Sequence, residues 1–531
     1  MNISVTQTQG RGLLTNLSKH VPLVMLVTVS LIVGLLTLPG YGEGMDELMQ
    51  RDYGERTVRV FESLASTGTA VVKERPRQGS HGPAFIMTVT LLKNLFLPAG
   101  TAVQKLHFGH FLYFIVFQVG VVSLYFLARR WVSETAAFGT ALLLATQPLL
   151  VGHAFINPKD VVFMSLLIAN AVLGLRLVDR EETYVRATGR PVLDTIRSFF
   201  RQFLRADVWL AGFLLGYASA IRIAAPLIGL VVLGYILVSR RWQMLPRLFA
   251  YGLIALCFMF LFWPYLWADP VGRLAEVLLN SANYPDVHLT LFRGALVDAQ
   301  HTPRSYLPVL LAIQLTETTL LLMLVGAVAL LKKFPWDLVV LISIWFVLPV
   351  LALVGMRVNL YNNFRQVFFI LPPLFLIAGL GLDWLFTHIR HPVTRTLILL
   401  LLILPGLYAN SRLYPYQYIY YNQLAGGLRG AYRVFELDYW NLAFREAQGY
   451  VNQHADPNAN VYAGNAKQTA QTFARSDLVF NAEGGRKRDW SDYDYIIVST
   501  AQNDDEEYAG LPTVFVVERE GVPLVYVKQP K

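Results

Sequence analysis

The sequence predicts a polytopic α-helical membrane protein carrying a small α/β domain at its C-terminal end. Three observations predict it. The 531 residues are 54% hydrophobic and 15% charged, whereas soluble domains average roughly 45–50% apolar and about 25% charged. The apolar residues gather in runs close to the ~20 residues a helix needs to cross a bilayer. After residue 411 those runs stop, and short alternating segments with strand character take over. A chain of this kind cannot be an ordinary soluble enzyme. Its single cysteine, Cys257, rules out an intramolecular disulfide.

The apolar runs read as eleven spans, at about 21–39, 108–128, 134–152, 161–179, 207–221, 223–238, 248–267, 306–331, 337–355, 367–386 and 396–411. The first follows Arg11 and Lys19 and is followed by LPGYGEG instead of a small-residue cleavage site, so it reads as an uncleaved anchor. Every second connection is basic. Arg129 and Arg130 follow the second span, and Arg176, Arg180, Arg186, Arg190, Arg197, Arg201 and Arg205 surround the loop after the fourth. Arg240, Arg241 and Arg247 follow the sixth, Lys332 and Lys333 the eighth, and Arg390 and Arg395 the tenth. The positive-inside rule then places the N-terminus and these loops in the cytoplasm. The connections 40–106, 153–160, 268–305 and 356–366, and everything after 411, fall outside. The net charge of +9 is thereby explained by topology, and no basic-aromatic module supports nucleic-acid binding.

The domains are therefore 1–411, a transmembrane domain with a large first outer loop at 40–106, and 412–531, an extracytoplasmic α/β domain. In the second, NVYAG (460–464), YDYIIVST (493–500) and TVFVVE (513–518) read as strands and 441–453 as a helix. VFVVEREGVPLVYV reads as a hairpin turning at its Glu-Gly pair. In the first outer loop, Val58, Phe61 and Leu64 fall at helical spacing. AFIMTVTLLKNLFL (84–97) is too short to span and reads as an interfacial or re-entrant helix roofing a cavity.

The costly residues collect on the outer face. Asp46 and Glu47 follow the first span; adjacent helical residues diverge by about 100°, so the two carboxylates cannot flank one bond. Either also fits as a cap favoured by the helix N-terminal dipole. His81-Gly82-Pro83 is a turn signal. Asn157-Pro158 is a turn and Asp160 can cap the fourth span, whereas Lys159 stands free to snorkel or to meet Asp46. Arg222 occupies the shortest outer connection, ASAIRIAAP, which suggests an ionic partner or an anionic ligand. Arg357 and Arg365 sit at the start of the tenth span, where guanidinium groups meet lipid headgroups or a substrate phosphate. Carboxylate, lysine, arginines and an amphipathic roof on one face suit a lipid-linked phosphate held by cations, with a carboxylate ready to activate an acceptor.

These motifs resemble the GT-C superfamily of polyprenyl-phosphate-sugar glycosyltransferases: the Asp46-Glu47 pair, HGP at 81–83, NPKD at 157–160 and YNNFRQVFFILPP at 361–373. The nearest branch is glycosyltransferase family 39, the protein O-mannosyltransferase-like enzymes, with the related lipid-linked aminoarabinose transferases. PYQYIYYNQLAGGLRGAYRVFELDYW (415–440) is similar to a segment that bacterial members carry after their last span. FRQ departs from an expected Arg-His pair, and the tail is not the β-trefoil of eukaryotic protein mannosyltransferases.

The resemblance implies an inverting glycosyltransferase of the cell envelope. It would move mannose or another hexose or pentose from a polyprenyl-phosphate donor to an acceptor hydroxyl on a protein, glycolipid or polysaccharide. Asp46 would be the general base and Glu47 would orient it. Arg365, Arg222 and Lys159 would hold the donor phosphate. His81, Asn157, Asp160, Tyr361, Asn362 and Asn422 would line the substrate. The implied setting is a bacterial plasma membrane, with the bilayer itself a partner and the tail domain extracytoplasmic. No HExxH or Cys/His ligand spacing exists, and His107, His110, His81, His153 and His301 are scattered, so no cofactor is obligatory; a divalent metal stays open through the superfamily. The alternatives are a transporter or flippase of lipid-linked sugars, a non-catalytic assembly scaffold, and an oligosaccharide ligase using a diphosphate-linked donor.

Overall fold

The computed structural model describes residues 20–72, 76–180, 191–282, 288–333, 335–480 and 490–530. Arg11, Lys19, Arg186 and Arg190 lie outside them. The chain is a multi-pass membrane protein, and each of the eleven apolar runs is helical over most of its length. Among the described residues six helices are long and apolar enough to cross a membrane: Val21–Gly40, Ala102–Ala128, Asp160–Asp179, Trp242–Phe262, Trp336–Met356 and Pro392–Leu413. Two bent pairs raise the number to eight. The other runs form shorter helices, Ala206–Ser219, Leu227–Val238 and Pro372–Thr387.

The two bends are where the structure departs from the continuous spans at 134–152 and 306–331. Glu134–Thr146 and Pro148–Ile156 meet at 60°, and Tyr306–Gln314 and Glu317–Lys333 at 111°. Hydropathy averaged over a span-length window passes over both, because the apolar helices on either side outweigh the polar residues at each break, Gln147 in one and Gln314, Thr316 and Glu317 in the other. A helix that breaks inside a bilayer frees backbone groups that must find partners in protein. Here the breaks satisfy one another. Gln147 Nε2 donates to the Gln314 carbonyl at 3.0 Å, and Thr316 N donates to Gln147 Oε1 at 3.2 Å. Asn422, from beyond the last span, donates through Nδ2 to the carbonyls of Ala312 and Leu315, both at 2.7 Å.

The bundle has two chemically different ends. At one, the basic connections pair with acidic helix termini: Arg130 and Arg241 with Asp179, and Arg180 and Arg205 with Asp207. At the other lie the long loop and the tail. The loop folds as helices Met45–Thr67 and Ala84–Phe96, which pack on each other. The second helix buries Phe85, Ile86, Met87 and Val89 while Leu91, Leu95 and Phe96 stay exposed, as an interfacial helix requires. The connection after residue 268 adds a short hairpin, Leu289–Phe292 with Ala295–Asp298. Its Arg293-Gly294 turn has φ 54° and 79°.

The tail carries a four-stranded sheet in the order Val461–Tyr462, Tyr495–Ser499, Val522–Lys528, Thr513–Arg519. The first pair is parallel and the others antiparallel. Glu520 and Gly521 both have positive φ, the geometry a tight hairpin turn demands and glycine provides at least strain. Helix Phe444–His454 packs on this sheet and buries Phe444, Ala447 and Val451. The tail then closes on the start of the long first loop. Arg445 Nη1 donates to the Tyr41 carbonyl at 2.7 Å, Thr472 Oγ1 donates to Glu43, and Met45 N donates to the Trp440 carbonyl at 3.1 Å.

Candidate active site

Asp46 lies in the first turn of Met45–Thr67, where unpaired N–H groups favour a carboxylate. Its neighbour Glu47 points elsewhere, as the divergence of about 100° between adjacent helical residues allows. Glu47 Oε2 accepts from Gly44 N at 2.7 Å, and both carboxylate oxygens lie against His110 Nε2, at 3.0 and 3.1 Å. Glu47 thus fixes the start of the helix from inside, and it is buried while the Asp46 side chain keeps 27% of its surface.

The NPKD segment is built around its asparagine. Asn157 Oδ1 accepts from Lys159 N at 3.1 Å and Asp160 N at 2.8 Å, turning the chain into helix Asp160–Asp179. Asn157 Nδ2 donates to Asp160 Oδ2 at 3.0 Å and to His153 Nδ1 at 3.2 Å. His153 Nε2 therefore carries the ring proton and donates to the Tyr439 hydroxyl at 2.8 Å. Asp160 is fully buried, a costly place for a carboxylate without cations. Arg222 and Arg365 supply them: Arg222 Nη2 donates to Oδ1, and Arg365 Nη1 donates to Oδ2 at 3.3 Å.

Two turns aim those arginines. Arg222 stands between helices Ala206–Ser219 and Leu227–Val238, and the HGP turn packs directly on that connection. Ala84 N donates to the Ala220 carbonyl at 3.1 Å, and a Cβ on Gly82 would overlap the same carbonyl, so the approach needs glycine. Arg365 opens a run of 3₁₀ turns, Arg365–Ile370, ahead of Pro372–Thr387, after Asn362 and Asn363 take positive φ of 51° and 60°. Its Nη2 donates to Asp46 Oδ2 at 2.9 Å. Its guanidinium carbon lies 4.8 Å from the Trp440 ring centre and 5.6 Å from that of Tyr361. Burial opposes its charge, but Asp46 and Asp160 outweigh that and hold its pKa above the ordinary value.

Lys159 completes the cluster. Its ammonium makes no hydrogen bond or ion pair among the described residues, and burial pulls its pKa down to about 8 although Asp46 acts the other way. His81 is held neutral, first by burial and then by the charges of Lys159 and Arg222. The Nε atoms of Arg222 and Arg365 are buried without partners. Buried donors in native proteins are nearly always paired, so three cations with unused donors beside Asp46 and Asp160 have the capacity to take an anion.

The structure thus brings together Asp46, Lys159, Asp160, Arg222 and Arg365, with Asn157, His81 and Tyr361 around them. Asn362 contributes backbone shape. The next residue, Asn363, makes the side-chain contact by accepting at Oδ1 from Tyr421 at 3.1 Å. Asn422 stands apart, consumed by the broken helix. Sequence reasoning weighed His153 and His110 only as metal ligands and did not place them, Trp440 or Tyr439 at this site, because they lie on other elements. The DYW triplet carrying Trp440 and Tyr439 was legible only as part of a longer likeness. No group of three His, Cys, Asp or Glu suited to a metal occurs among the described residues.

No protein-family model matches the chain, and no curated protein matches it in sequence. Among solved structures the chain is similar to ArnT from Cupriavidus metallidurans bound to undecaprenyl phosphate. The identity is 15%, the TM-score 0.47, and the match covers 95% of this chain and 97% of that one. It is also similar to the archaeal oligosaccharyltransferase AglB from Archaeoglobus fulgidus, in complex with an inhibitory peptide and a dolichol-phosphate. There the identity is 13% and the TM-score 0.47, over 88% of this chain and 65% of that one.

Proposed function

We propose that the protein is an inverting glycosyltransferase of the GT-C type, moving a sugar from a polyprenyl-phosphate donor to an acceptor hydroxyl at the outer membrane face. The observation that carries this reading is the set of unused donors on Lys159, Arg222 and Arg365 beside the part-exposed carboxylate of Asp46. Three cations against Asp46 and Asp160 leave one positive charge, with His81 neutral. A polyprenyl phosphodiester carries one negative charge and balances it.

Asp46 accepts the proton of the acceptor hydroxyl as its oxygen bonds to the anomeric carbon. The bond from that carbon to the phosphate oxygen breaks, and its electron pair leaves on the polyprenyl phosphate. The new charge develops beside Lys159, Arg222 and Arg365, positioned in advance to stabilise it. Phosphate departs without an acid, so a single carboxylate suffices, and one displacement inverts the anomeric centre. Glu47 acts through the helix start and His81 through packing on the Arg222 turn. The broken helices suit a transporter as well, but the ion pairs gather at the two ends of the bundle, which favours chemistry at a surface.

The test is transfer of radiolabelled sugar from a panel of polyprenyl-phosphate sugars, in membranes holding wild type or Asp46→Asn at equal expression. Wild type is expected to transfer label from one donor and the variant to lose at least about a hundredfold, the range of general-base effects. Equal transfer by both would remove Asp46 from the mechanism.

A further inference from the structure

A second cationic feature lies on the same end of the bundle, and the proposed transfer reaction does not use it. Helix Leu348–Met356 buries none of its residues, and Leu351 and Met356 are exposed, as expected of a helix facing lipid. It ends at Arg357, whose φ of 51° and ψ of 52° place a non-glycine residue in the left-handed region. Such a conformation is strained for an L-residue, and glycine is the usual occupant of a helix end of this shape. Beside it Arg304 precedes helix Tyr306–Gln314. Both arginines border one shallow surface cleft, whose apolar wall includes Leu307, Leu353, Val354 and Leu360. Both are exposed, and among the described residues neither makes a hydrogen bond or ion pair.

Two unpaired guanidinium groups at the edge of an apolar cleft, beside a lipid-facing helix, form an amphipathic receptor. We infer that this cleft binds an anionic membrane phospholipid, its headgroup phosphate between Arg304 and Arg357 and the upper part of one chain along the part-exposed Leu353 and Val354. Arginine suits the task because its planar donors pair with phosphate oxygens. The cleft is too shallow to enclose a chain, so a chain lies against its rim with the rest in the bilayer. A zwitterionic headgroup brings its own cation against the two arginines, whereas an anionic one does not. This inference stands independently of the proposed transfer reaction, whose phosphate cations are Lys159, Arg222 and Arg365.

The test is native mass spectrometry of the full chain released from nanodiscs of equal phosphatidylglycerol and phosphatidylcholine. Wild type is expected to retain phosphatidylglycerol. Arg304→Gln/Arg357→Gln is expected to lose that preference at least about tenfold, the effect of two charge-assisted hydrogen bonds. Leu353→Trp, which fills the cleft and leaves both arginines in place, is expected to lose retention also, and Arg365→Gln to keep it. Undiminished retention in the double variant overturns the inference. So does displacement of phosphatidylglycerol by equimolar polyprenyl phosphate, which would assign the cleft to the donor.

Discussion

Arg365 donates to Asp46 at 2.9 Å across 319 residues of sequence, and with its other nitrogen it donates to the buried Asp160 at 3.3 Å. One guanidinium thus joins the long first loop to the start of the fourth span, and it tethers the proposed base.

Arg365→Lys is expected to fail despite preserving the charge. An ammonium cannot reproduce a planar fork that meets two carboxylates at once and lies over the Trp440 ring. Arg365→Gln also leaves Asp160 buried with one cation. Breaking buried pairs costs about 3–5 kcal/mol, and the retained Arg222 favours the lower figure. Thermal unfolding in detergent, run beside the transfer assay, checks both variants; wild-type activity in Arg365→Lys would show that the fork is dispensable.

Glu47→Ala removes the carboxylate that holds Gly44 N and His110. A loss of about 1–3 kcal/mol is expected from leaving these donors unpaired, with a fall in kcat because the Asp46 turn loosens. Glu47→Gln keeps an acceptor and is expected to fall less. If Glu47→Ala melts with wild type, the helix start is held by other contacts.

Lys159 is expected to give the proposed donor site an alkaline limit. Its pKa near 8, lowered mainly by burial, means that the native protein loses this charge while an ordinary lysine stays protonated up to about 10.5. Donor KM is expected to rise as pH passes 8, and Lys159→Gln to show a raised KM with that limb flattened. The stability contribution has the opposite sign. Between 8 and 10.5 the unfolded chain binds more protons at this residue, so folding stability gains with pH there. A KM that is flat from pH 7 to 9 in wild type would exclude Lys159 from phosphate binding.

Glu436 sets a dependence at acidic pH. Burial raises its carboxyl to about 7, although hydrogen bonds from Thr290 and Gln502 act against the shift. Between about 4.5 and 7 the native state holds a proton that the unfolded chain has released, so stability is expected to fall as pH rises through that window and to level off above it. Asp438, raised to about 7 by burial, contributes in the same direction. Glu436→Gln is expected to reduce the slope of unfolding free energy between pH 5 and 7; an unchanged slope would assign it to other groups.

Much of this architecture was legible because it rests on local patterns. The 3.6-residue period and span lengths gave the helices, and alternation gave the tail strands. The helix expected at 441–453 is Phe444–His454, and Glu520-Gly521 turns the closing hairpin as read. The Arg293-Gly294 hairpin has the same turn chemistry but was passed over inside a long loop. What sequence could not give depends on distant partners. Nothing near Gln147 reveals that it satisfies Thr316, and nothing near Asn422 tells a sugar ligand from a backbone tie. Glu47 looked like a companion to Asp46, whereas His110, one helix away, decides which way it faces.

The Trp440 contacts impose an order on biosynthesis. Its carbonyl receives Met45 N, and its ring lies beside Arg365. A nascent chain that has inserted everything through Leu413 therefore still lacks the acceptor for the helix start bearing Asp46. The arrangement around Asp46 is complete only when the ribosome has delivered the first residues of the tail, so a half-made chain in the membrane lacks the finished cluster.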